Sequence, residues 1–315
     1  MTRILAICGP TAVGKTNIAI DICREFNGEI ISCDSMQIYR GMDIGSAKPS
    51  IYEQHLVKHH LIDIVDPKEE FSVADFSVLA REKIGELSNK GILPVLAGGT
   101  GLYFDSIIYD MDFAAAPPIS SKRDEYYRIA EEKGQDALHD ILKSIDPEAA
   151  ERIHPNNIKR VVRAIETAEE GIAIRDFSKA LVRRSEYDVI MIGLMREREE
   201  LYDRINRRVD IMMDVGLLKE VESLMEQGLT ENYMSMKGIG YKELIAYLNG
   251  DKSLDDAITE IKTNSRHYAK RQMTWLRKYG NLEDKPQGIK WFNISEIGSE
   301  EKTSEEIKEW LKRRF

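Results

Sequence analysis

A short apolar run followed by a glycine-rich turn constrains this chain more than any other part of its sequence. Ile4–Cys8 has the pattern of a buried strand, and Thr16–Glu25 has the pattern of an amphipathic helix. Between them lies Gly9-Pro10-Thr11-Ala12-Val13-Gly14-Lys15-Thr16, which matches the pattern G-x-x-x-x-G-K-[ST]. A strand, a glycine turn and a helix in this order predict an α/β fold with a phosphate-binding loop.

This loop has the groups that an anion needs. Gly9 and Gly14 let the backbone curve around a phosphate, and the amides at the start of the helix point toward it. Lys15 adds a positive charge, and the hydroxyl of Thr16 can reach a Mg²⁺ ion. The motif predicts phosphate binding but does not identify the compound that carries the phosphate.

Predicted strands and helices alternate through the first hundred residues. This alternation is typical of a parallel sheet covered by helices, in which ligands bind beyond the carboxyl ends of the strands. Gly9, Asp34 and Gly98 all fall at such ends. The three predicted strands are Arg3–Cys8, Glu29–Cys33 and Ile92–Ala97, and the longest predicted helix among them is Phe71–Lys90.

A different pattern follows, because the stretch from Ser120 to about Arg184 predicts only helices. One more strand is predicted at Tyr187–Leu194, and the chain after Glu197 is again mostly helical in pattern. A helical block between two segments that belong to a sheet indicates an insertion. We therefore expect a core domain of residues 1–118 and 186–315 and an all-helical insertion domain of residues 119–185.

Two polar side chains at predicted strand ends are candidates for chemistry. Asp34 follows the second strand, where its carboxylate can accept a proton from a bound substrate. Its spacing to Gln37 also fits a helix N-cap, so both roles stay open. Thr100 lies in the turn Gly98-Gly99-Thr100-Gly101 after the third strand, and it either meets a ligand through its hydroxyl or belongs only to a tight turn.

Charge and composition exclude several classes of function. The 315 residues carry a formal net charge of −9, which argues against a protein that coats nucleic acid without specificity. No apolar run approaches the length of a membrane span and no signal-peptide pattern is present, so we expect a cytoplasmic protein without a membrane partner. Three cysteines are too few and too poorly spaced for a metal site or a disulfide framework.

Positive charge is nevertheless concentrated in two stretches. The segment Arg266–Lys278 contains five Lys or Arg and no acidic residue, and its cations alternate with Tyr268 and Trp275. Stacking groups beside cations suit single-stranded RNA, although a helix with one buried face and one solvated face has the same pattern. Lys159, Arg160 and Arg163 form the second cluster.

With these pieces together, almost the whole chain resembles the tRNA dimethylallyltransferases, also called tRNA isopentenyltransferases or the IPP transferase family. Ser46 departs from the family pattern, which often has Thr at this position. The motifs that carry the resemblance are Gly9–Thr16, Asp34–Tyr39, Asp43–Pro49, Gly98–Tyr103, His154–Glu166, Gly240-Tyr241 and Ala269–Arg277.

The resemblance implies a P-loop NTPase-like core with a parallel sheet and a helical insertion. It implies transfer of a dimethylallyl group from dimethylallyl diphosphate to N6 of the adenosine at position 37, just 3′ of the anticodon, with release of diphosphate. The implied acceptors are tRNAs that read codons beginning with U, bound through the anticodon stem-loop. Mg²⁺ is the expected cofactor, and we expect a monomer.

The resemblance also assigns residues. Asp34, Thr100 and Lys15 are implied to be catalytic, with Asp34 as the base, and Thr16 is implied to hold Mg²⁺. The residues implied to bind diphosphate are Gly9, Thr11, Ala12, Val13, Gly14, Lys15, Thr16 and Arg208. The residues implied to bind tRNA are Asp34, Ser35, Met36, Gln37, Thr100, Arg123, Lys159, Arg160, Arg163, Lys237, Lys270 and Arg271.

Two other classes of function remain as alternatives. A small-molecule kinase would use ATP in the same loop, but it leaves the His154–Glu166 block and the basic helix unexplained. A non-catalytic RNA-binding protein would not need Lys15, Thr16 and Asp34. The strand Ile92–Ala97 ends without the acidic residue that holds Mg²⁺ in typical P-loop NTPases, which argues against an ATP-driven motor.

Overall fold

The structure is a computed structural model that describes residues 1–111, 122–170, 182–285 and 287–315. Its internal contacts divide the chain into one unit of Met1–Ile108 and Arg184–Phe315 and a second unit of Tyr109–Arg183. The domain boundary predicted between residues 118 and 119 lies outside the described residues.

The first unit is built on a parallel sheet that has six strands among the described residues. Their order across the sheet is β3-β2-β4-β1-β5-β6, and each neighbouring pair runs parallel. Cys8 and Cys33 both pair with Gly98, so three strands end level with one another. In chain order the strands are β1 (Thr2–Cys8), β2 (Gly28–Cys33), β3 (His59–His60), β4 (Leu93–Gly98), β5 (Tyr187–Met195) and β6 (Ile289–Asn293).

Helices account for most of the remaining described residues. The helices of the first half of the chain are α1 (Lys15–Glu25), α2 (Ile51–Leu56), α3 (Val73–Asn89), α4 (Gly101–Ile108), α5 (Arg123–Lys133), α6 (Gln135–Ile145), α7 (Pro147–Arg152) and α8 (Ile158–Glu169). Those of the second half are α9 (Arg198–Asp214), α10 (Leu217–Glu226), α11 (Tyr241–Leu248), α12 (Leu254–Arg277), α13 (Ile294–Ile297) and α14 (Glu300–Lys312).

The core of the first unit forms where helices cover the central strands. All residues of β1 from Ile4 to Cys8 are fully buried, as expected for a strand with a neighbour on each side and a layer on each face. Ile18 and Ile22 of α1 lie one helical turn apart and pack in the same apolar cluster as Leu5. This packing holds the start of α1 at the carboxyl end of β1.

The second unit contains the helices α5 to α8 and no strand among its described residues. Leu138 and Leu142 of α6 and Val161 and Ile165 of α8 are spaced four residues apart and form its buried core. The helical pattern predicted for this stretch is confirmed among its described residues.

The predicted α/β fold and the parallel sheet are confirmed. The chain after Glu197 is mostly helical, as predicted, and it also contains β6, a five-residue edge strand that was not predicted and whose residues Ile289 and Phe292 are buried. Asp34 does not begin a helix, because residues 35–38 form turns. A capping box formed by Ser72 and Asp75 starts α3.

Candidate active site

The phosphate-binding loop connects β1 to α1, and two of its residues have a positive φ angle. Gly14 has φ of 109°, which favours glycine, and Ala12 has φ of 63° in the left-handed region. The Lys15 side chain folds over the loop, and Nζ donates to the carbonyl oxygens of Gly9 at 3.0 Å and Pro10 at 2.8 Å. The loop therefore has the shape of an anion cradle with its cation already in place.

Burial changes the acidity of the loop lysine. Desolvation, with a smaller effect from the positive charge of Arg208, lowers the pKa of Lys15 to about 8. The negative charge of Asp34 acts in the opposite direction and so lies close enough to interact with Lys15. A phosphate ligand would supply the missing counter-charge and restore the protonated form.

Asp34 lies directly after β2 and lines the same cavity as Lys15. Its Oδ1 accepts a hydrogen bond from the N–H of Met36 at 2.9 Å, so the carboxylate caps a turn rather than a helix. Desolvation raises the pKa of Asp34, and the hydrogen bond from Met36 and the charge of Lys15 oppose that rise. A desolvated carboxylate at this position is a stronger proton acceptor than an exposed one.

Thr100 is joined to the turn that contains Asp34. Its Oγ1 accepts a hydrogen bond from the N–H of Ser35 at 3.2 Å, and its own N–H donates to the carbonyl of Cys33 at 3.1 Å. The side chain of Tyr268 in α12 also hydrogen-bonds Thr100, and burial together with the charge of Asp34 raises the pKa of that phenol to about 12. Thr100 is therefore both part of a tight turn and the neighbour of a polar network.

One cavity of about 780 Å³ collects these groups. Its wall includes residues 11–17 of the loop, Asp34 and Gln37 after β2, and the guanidinium-bearing residues Arg204 and Arg208 of α9. Burial, with a smaller effect from Arg204, lowers the pKa of Arg208. All predicted diphosphate-binding residues except Gly9 thus line the same cavity as the predicted base, Asp34. Thr100 is not part of the cavity wall, but it hydrogen-bonds to Tyr268, which is.

Gln272 links the basic helix α12 to both glycine turns, and the sequence analysis did not single it out. Its Oε1 accepts the N–H of Thr11 at 2.8 Å, and its Nε2 donates to the carbonyl of Gly99 at 3.0 Å. A Cβ on Gly99 would lie 2.0 Å from Nε2, so only glycine fits beneath this side chain. Because the Thr11 amide is already bonded, the part of Thr11 left for a ligand is its hydroxyl.

The Asp43–Pro49 loop forms another wall of the cavity and is held by a carboxylate. Glu220 of α10 accepts hydrogen bonds from the consecutive amides of residues 43–45 at 2.9, 2.7 and 3.0 Å. The hydroxyl of the fully buried Tyr241 donates to the same carboxylate at 2.7 Å. A Cβ on Gly45 would lie 2.5 Å from the Tyr241 ring, so the loop packs this closely against Tyr241 only with glycine at position 45.

The residues predicted to bind tRNA occupy different environments in the first unit. Gln37 lines the cavity and donates through Nε2 to the carbonyl of Ala47 at 3.2 Å. Lys237 is exposed at the end of the short 3₁₀ helix Ser235–Lys237. Lys270 and Arg271 are exposed on α12, and the Arg271 guanidinium lies 5.7 Å from the centre of the Tyr268 ring.

In the second unit, two of the predicted residues have a structural partner. Arg123 forms a bidentate pair with the buried carboxylate of Glu166, at 2.9 Å through Nε and 2.7 Å through Nη2. Arg163 lies 3.8 Å from the same carboxylate. Lys159 and Arg160 are exposed on the first turn of α8. The roles of these four residues toward tRNA stay predictions.

One face of the α12 segment packs inside the protein, as expected for a helix with one buried face, and its role toward RNA stays a prediction. Asp105 of α4 is buried and accepts hydrogen bonds from Trp275 at 3.1 Å, from Tyr279 and from Lys278. These side chains dock α12 on α4. The exposed face retains Lys270 and Arg271 for a polyanion.

The described side chains alone do not form a metal site. Among them, no group of three or more His, Cys, Asp or Glu residues is arranged to hold a metal ion. A Mg²⁺ ion at the loop would therefore depend on hard oxygen ligands such as the Thr16 hydroxyl and substrate phosphates. No helix within the described ranges is long and apolar enough to cross a membrane.

Several residues contact the loops of this site although no pattern in the sequence links them to those loops. They lie more than 160 residues along the chain from the loops that they contact, and all of them except Arg196 lie in helices. These residues are Arg196, Arg204, Glu220, Tyr268, Gln272 and Glu300.

Two family models match the chain. The model described as IPP transferase matches residues 37–279, and the model described as isopentenyl transferase matches residues 2–64. The first match alone covers more than half of the chain.

Known proteins are similar over nearly the full length. A tRNA dimethylallyltransferase of Alkaliphilus oremlandii is 52% identical over 314 residues, which is 99% of this chain and 98% of that protein. The crystal structure of a tRNA isopentenylpyrophosphate transferase from Bacillus halodurans is 43% identical, covers 99% and 96% of the two chains and superposes with a TM-score of 0.72. Crystallographic snapshots of a eukaryotic dimethylallyltransferase acting on tRNA share 27% identity over 93% of this chain and 74% of that one, with a TM-score of 0.75.

Proposed function

The chain belongs to the IPP transferase family and is a tRNA-prenylating enzyme, and from this premise we propose its donor, its acceptor atom and the roles of its residues. The donor is dimethylallyl diphosphate. The acceptor is N6 of the adenosine at position 37, 3′ to the anticodon, in tRNAs that read codons beginning with U. The products are N6-(dimethylallyl)adenosine in tRNA and diphosphate.

One observation carries this proposal: a phosphate cradle and a desolvated carboxylate line the same cavity. The cradle suits a diphosphate leaving group, and Asp34 suits the proton that an amine must lose when it forms a new C–N bond. A kinase would instead transfer the terminal phosphate and can also use a carboxylate as base, so the similarity to tRNA dimethylallyltransferases is what argues against this alternative.

The donor reacts by breaking its allylic C–O bond, which leaves the bonding electrons on the diphosphate. Residues 11–16 of the loop, which include Lys15, line the cavity in which this negative charge would develop, and so does Arg208. Positive groups that are already oriented stabilise such a charge without reorganising during the reaction. These residues therefore act as an electrostatic clamp on the leaving group.

The acceptor amine forms the new C–N bond and gives its proton to Asp34. The raised pKa of Asp34 makes this transfer more favourable than transfer to an exposed carboxylate. The Thr100 hydroxyl accepts from Ser35, which fixes its orientation beside the Asp34 turn. We assign Thr100 to the positioning of the adenine, and adenine extruded from an anticodon loop costs little stacking energy.

Mg²⁺ fits the donor set at the loop. The Thr16 hydroxyl, on the first turn of α1 and in the cavity wall, would hold the ion together with diphosphate oxygens. When bound, the ion supplies additional positive charge for the leaving group.

The acceptor tRNA is bound by exposed cations. In the first unit these are Lys237, Lys270 and Arg271, and in the second unit Lys159 and Arg160. Their positions favour contact with phosphates, which position an RNA without reading its sequence. Ser35, Met36 and Gln37 adjoin Asp34 and are assigned to the base that enters the cavity.

We propose that the enzyme works as a monomer. All three cysteines are buried and unpaired, which suits a reducing compartment such as the cytoplasm.

A transfer assay tests the proposal. The enzyme is incubated with Mg²⁺, dimethylallyl diphosphate and an anticodon stem-loop, and the nucleosides are analysed by mass spectrometry. We expect one dimethylallyl group on adenosine 37 and none on a stem-loop with guanosine at that position.

Two controls separate the alternatives. Isopentenyl diphosphate lacks the allylic C–O bond and should not act as donor, and ATP should not compete with dimethylallyl diphosphate at matched concentrations. Tight ATP binding with phosphate transfer would instead support a kinase, and stem-loop binding without transfer would support a non-catalytic RNA-binding protein.

A further inference from the structure

Two arginines and one carboxylate hold the phosphate-binding loop through its carbonyl groups, and Arg204 and Glu300 also belong to the cavity wall. Arg204 donates through Nε to the carbonyl of Ala12 at 2.9 Å, and Arg196 donates through Nε to the carbonyl of Val13 at 2.9 Å. Both arginines also donate through Nη2 to the same oxygen, Oε1 of Glu300, at 2.8 Å each. Glu300 is the first residue of α14, almost three hundred residues after the loop.

Glu300 also contacts the loop and α1 directly. Its Oε2 accepts a hydrogen bond from Asn17 in the first turn of α1 at 2.9 Å. A Cβ on Gly14 would lie 2.6 Å from the Glu300 carboxylate, so the carboxylate occupies the space beside this glycine. The second glycine of the motif is thus needed for close packing as well as for its backbone angle.

These bonds determine which way the loop amides point. In a trans peptide the C=O of one residue and the N–H of the next point in opposite directions. The arginine that holds the Ala12 carbonyl therefore directs the Val13 amide away from itself, and the second arginine does the same for the Gly14 amide. The Val13 N–H has only a long bond of 3.4 Å to Pro10, which a phosphate oxygen can replace.

We propose that Glu300 is a positioning residue of the diphosphate site, which holds Arg196 and Arg204 so that the loop amides face the donor. This inference depends on the proposed function in one respect, namely that the ligand of the loop is diphosphate. Glu300 lies beyond the residues that either family model matches.

Two opposite effects follow from a carboxylate at this position. Its negative charge repels a diphosphate, whereas its hydrogen bonds orient the groups that attract one. Because two guanidinium groups neutralise the charge at short distance, orientation outweighs repulsion. Loss of Glu300 therefore weakens diphosphate binding.

The test measures binding of inorganic diphosphate by calorimetry in the presence of Mg²⁺, for the wild-type protein and three variants. Glu300→Asp keeps the charge but shortens the side chain by one methylene, so that it no longer reaches both arginines. We expect the dissociation constant to rise about tenfold, as for the loss of charge-assisted hydrogen bonds. Glu300→Gln should change it in the same direction, and Glu306→Gln, an exposed carboxylate of the same helix, should not.

Affinity for the anticodon stem-loop is measured on the same samples and should stay unchanged, since a general folding defect would weaken it as well. Wild-type affinity for diphosphate in Glu300→Asp, or tighter binding in Glu300→Gln, would overturn the inference. The readout does not require prenyl transfer, so a protein that binds diphosphate but transfers nothing would refute the proposed function and leave this inference intact.

Discussion

Lys15 and Asp34 share a cavity in which burial disfavours the charged form of both. Desolvation lowers the pKa of Lys15 to about 8 and raises the pKa of Asp34. Each charge partly relieves the other, and a bound diphosphate would relieve Lys15 further. The two residues are therefore suited to work on opposite sides of one reaction, Lys15 on the departing anion and Asp34 on the departing proton.

Replacement of Asp34 should separate binding from turnover. Asp34→Asn keeps a side chain that accepts from Met36 but no longer takes a proton, so we expect single-turnover transfer to slow by roughly a hundredfold or more. Binding of dimethylallyl diphosphate should remain. In the wild type the raised pKa of Asp34 implies that activity falls on acidification, starting at a higher pH than for an ordinary carboxyl group. An unchanged single-turnover rate in Asp34→Asn would remove it as the base.

The shifted pKa of Lys15 predicts a pH dependence for donor binding. Below pH 8 the ammonium group is mostly charged, and above pH 8 it loses its proton unless a ligand holds it. Between about pH 7 and about pH 9 the charged fraction of the free enzyme falls about tenfold, so the KM for dimethylallyl diphosphate should rise by a similar factor. Steady-state kinetics across this range measure it. A constant KM would show that Lys15 keeps its proton throughout.

The residues nearest the loop were predictable because their signals are local. Gly9–Thr16, Asp34 and Thr100 each follow a strand whose apolar pattern is plain in the sequence. Gln272 was not predictable in its role, because its partners Thr11 and Gly99 lie far away in the chain and become its neighbours only after folding.

At the scale of elements, α12 combines a structural face with a basic face. Its inner face docks on the buried Asp105 through Trp275 and on both glycine turns through Gln272. Its outer face exposes Lys270 and Arg271. The sequence pattern alone did not separate these faces, since aromatic and basic residues contribute to both.

The exposed cations of α12 should contribute to tRNA affinity in a salt-dependent way. In the double variant Lys270→Gln/Arg271→Gln we expect weaker binding of the stem-loop and a flatter dependence of log K on log salt, by about one unit for each phosphate that the protein no longer neutralises. Fluorescence anisotropy at several salt concentrations measures both. Lys302→Gln, an exposed lysine of α14, is the control. A slope equal to that of the wild type would place the RNA elsewhere.

The inner face of α12 should matter for stability instead. The buried Asp105 carboxylate accepts hydrogen bonds from three donors, and in Asp105→Asn one of its oxygens is replaced by an NH₂ group that cannot accept them. We therefore expect the free energy of unfolding to fall by about 2–4 kcal/mol. Urea denaturation monitored by tryptophan fluorescence and circular dichroism tests this. The exposed Asp214→Asn should behave like the wild type. Equal stability of Asp105→Asn would mean that the buried carboxylate is not required to dock the helix.

At the scale of the whole molecule, the alternation of predicted strands and helices was sufficient to predict a parallel sheet with a helical insertion. The edge strand β6 was missed, because a five-residue strand between helical segments has too short a pattern. The sequence also did not reveal that α14 returns to the loop at its start and places Glu300 against Gly14. Such contacts join residues that are nearly three hundred positions apart in the chain, and no local pattern in the sequence predicts them.

The central claim is that the loop holds the group that leaves, while the carbon chain is what is transferred. A single-turnover reaction with donor labelled in both the dimethylallyl group and the diphosphate tests it most directly. We predict that diphosphate and N6-(dimethylallyl)adenosine at position 37 appear in equal amounts and at the same rate. Label from the phosphates on the RNA, or diphosphate released without prenylated adenosine, would contradict the claim.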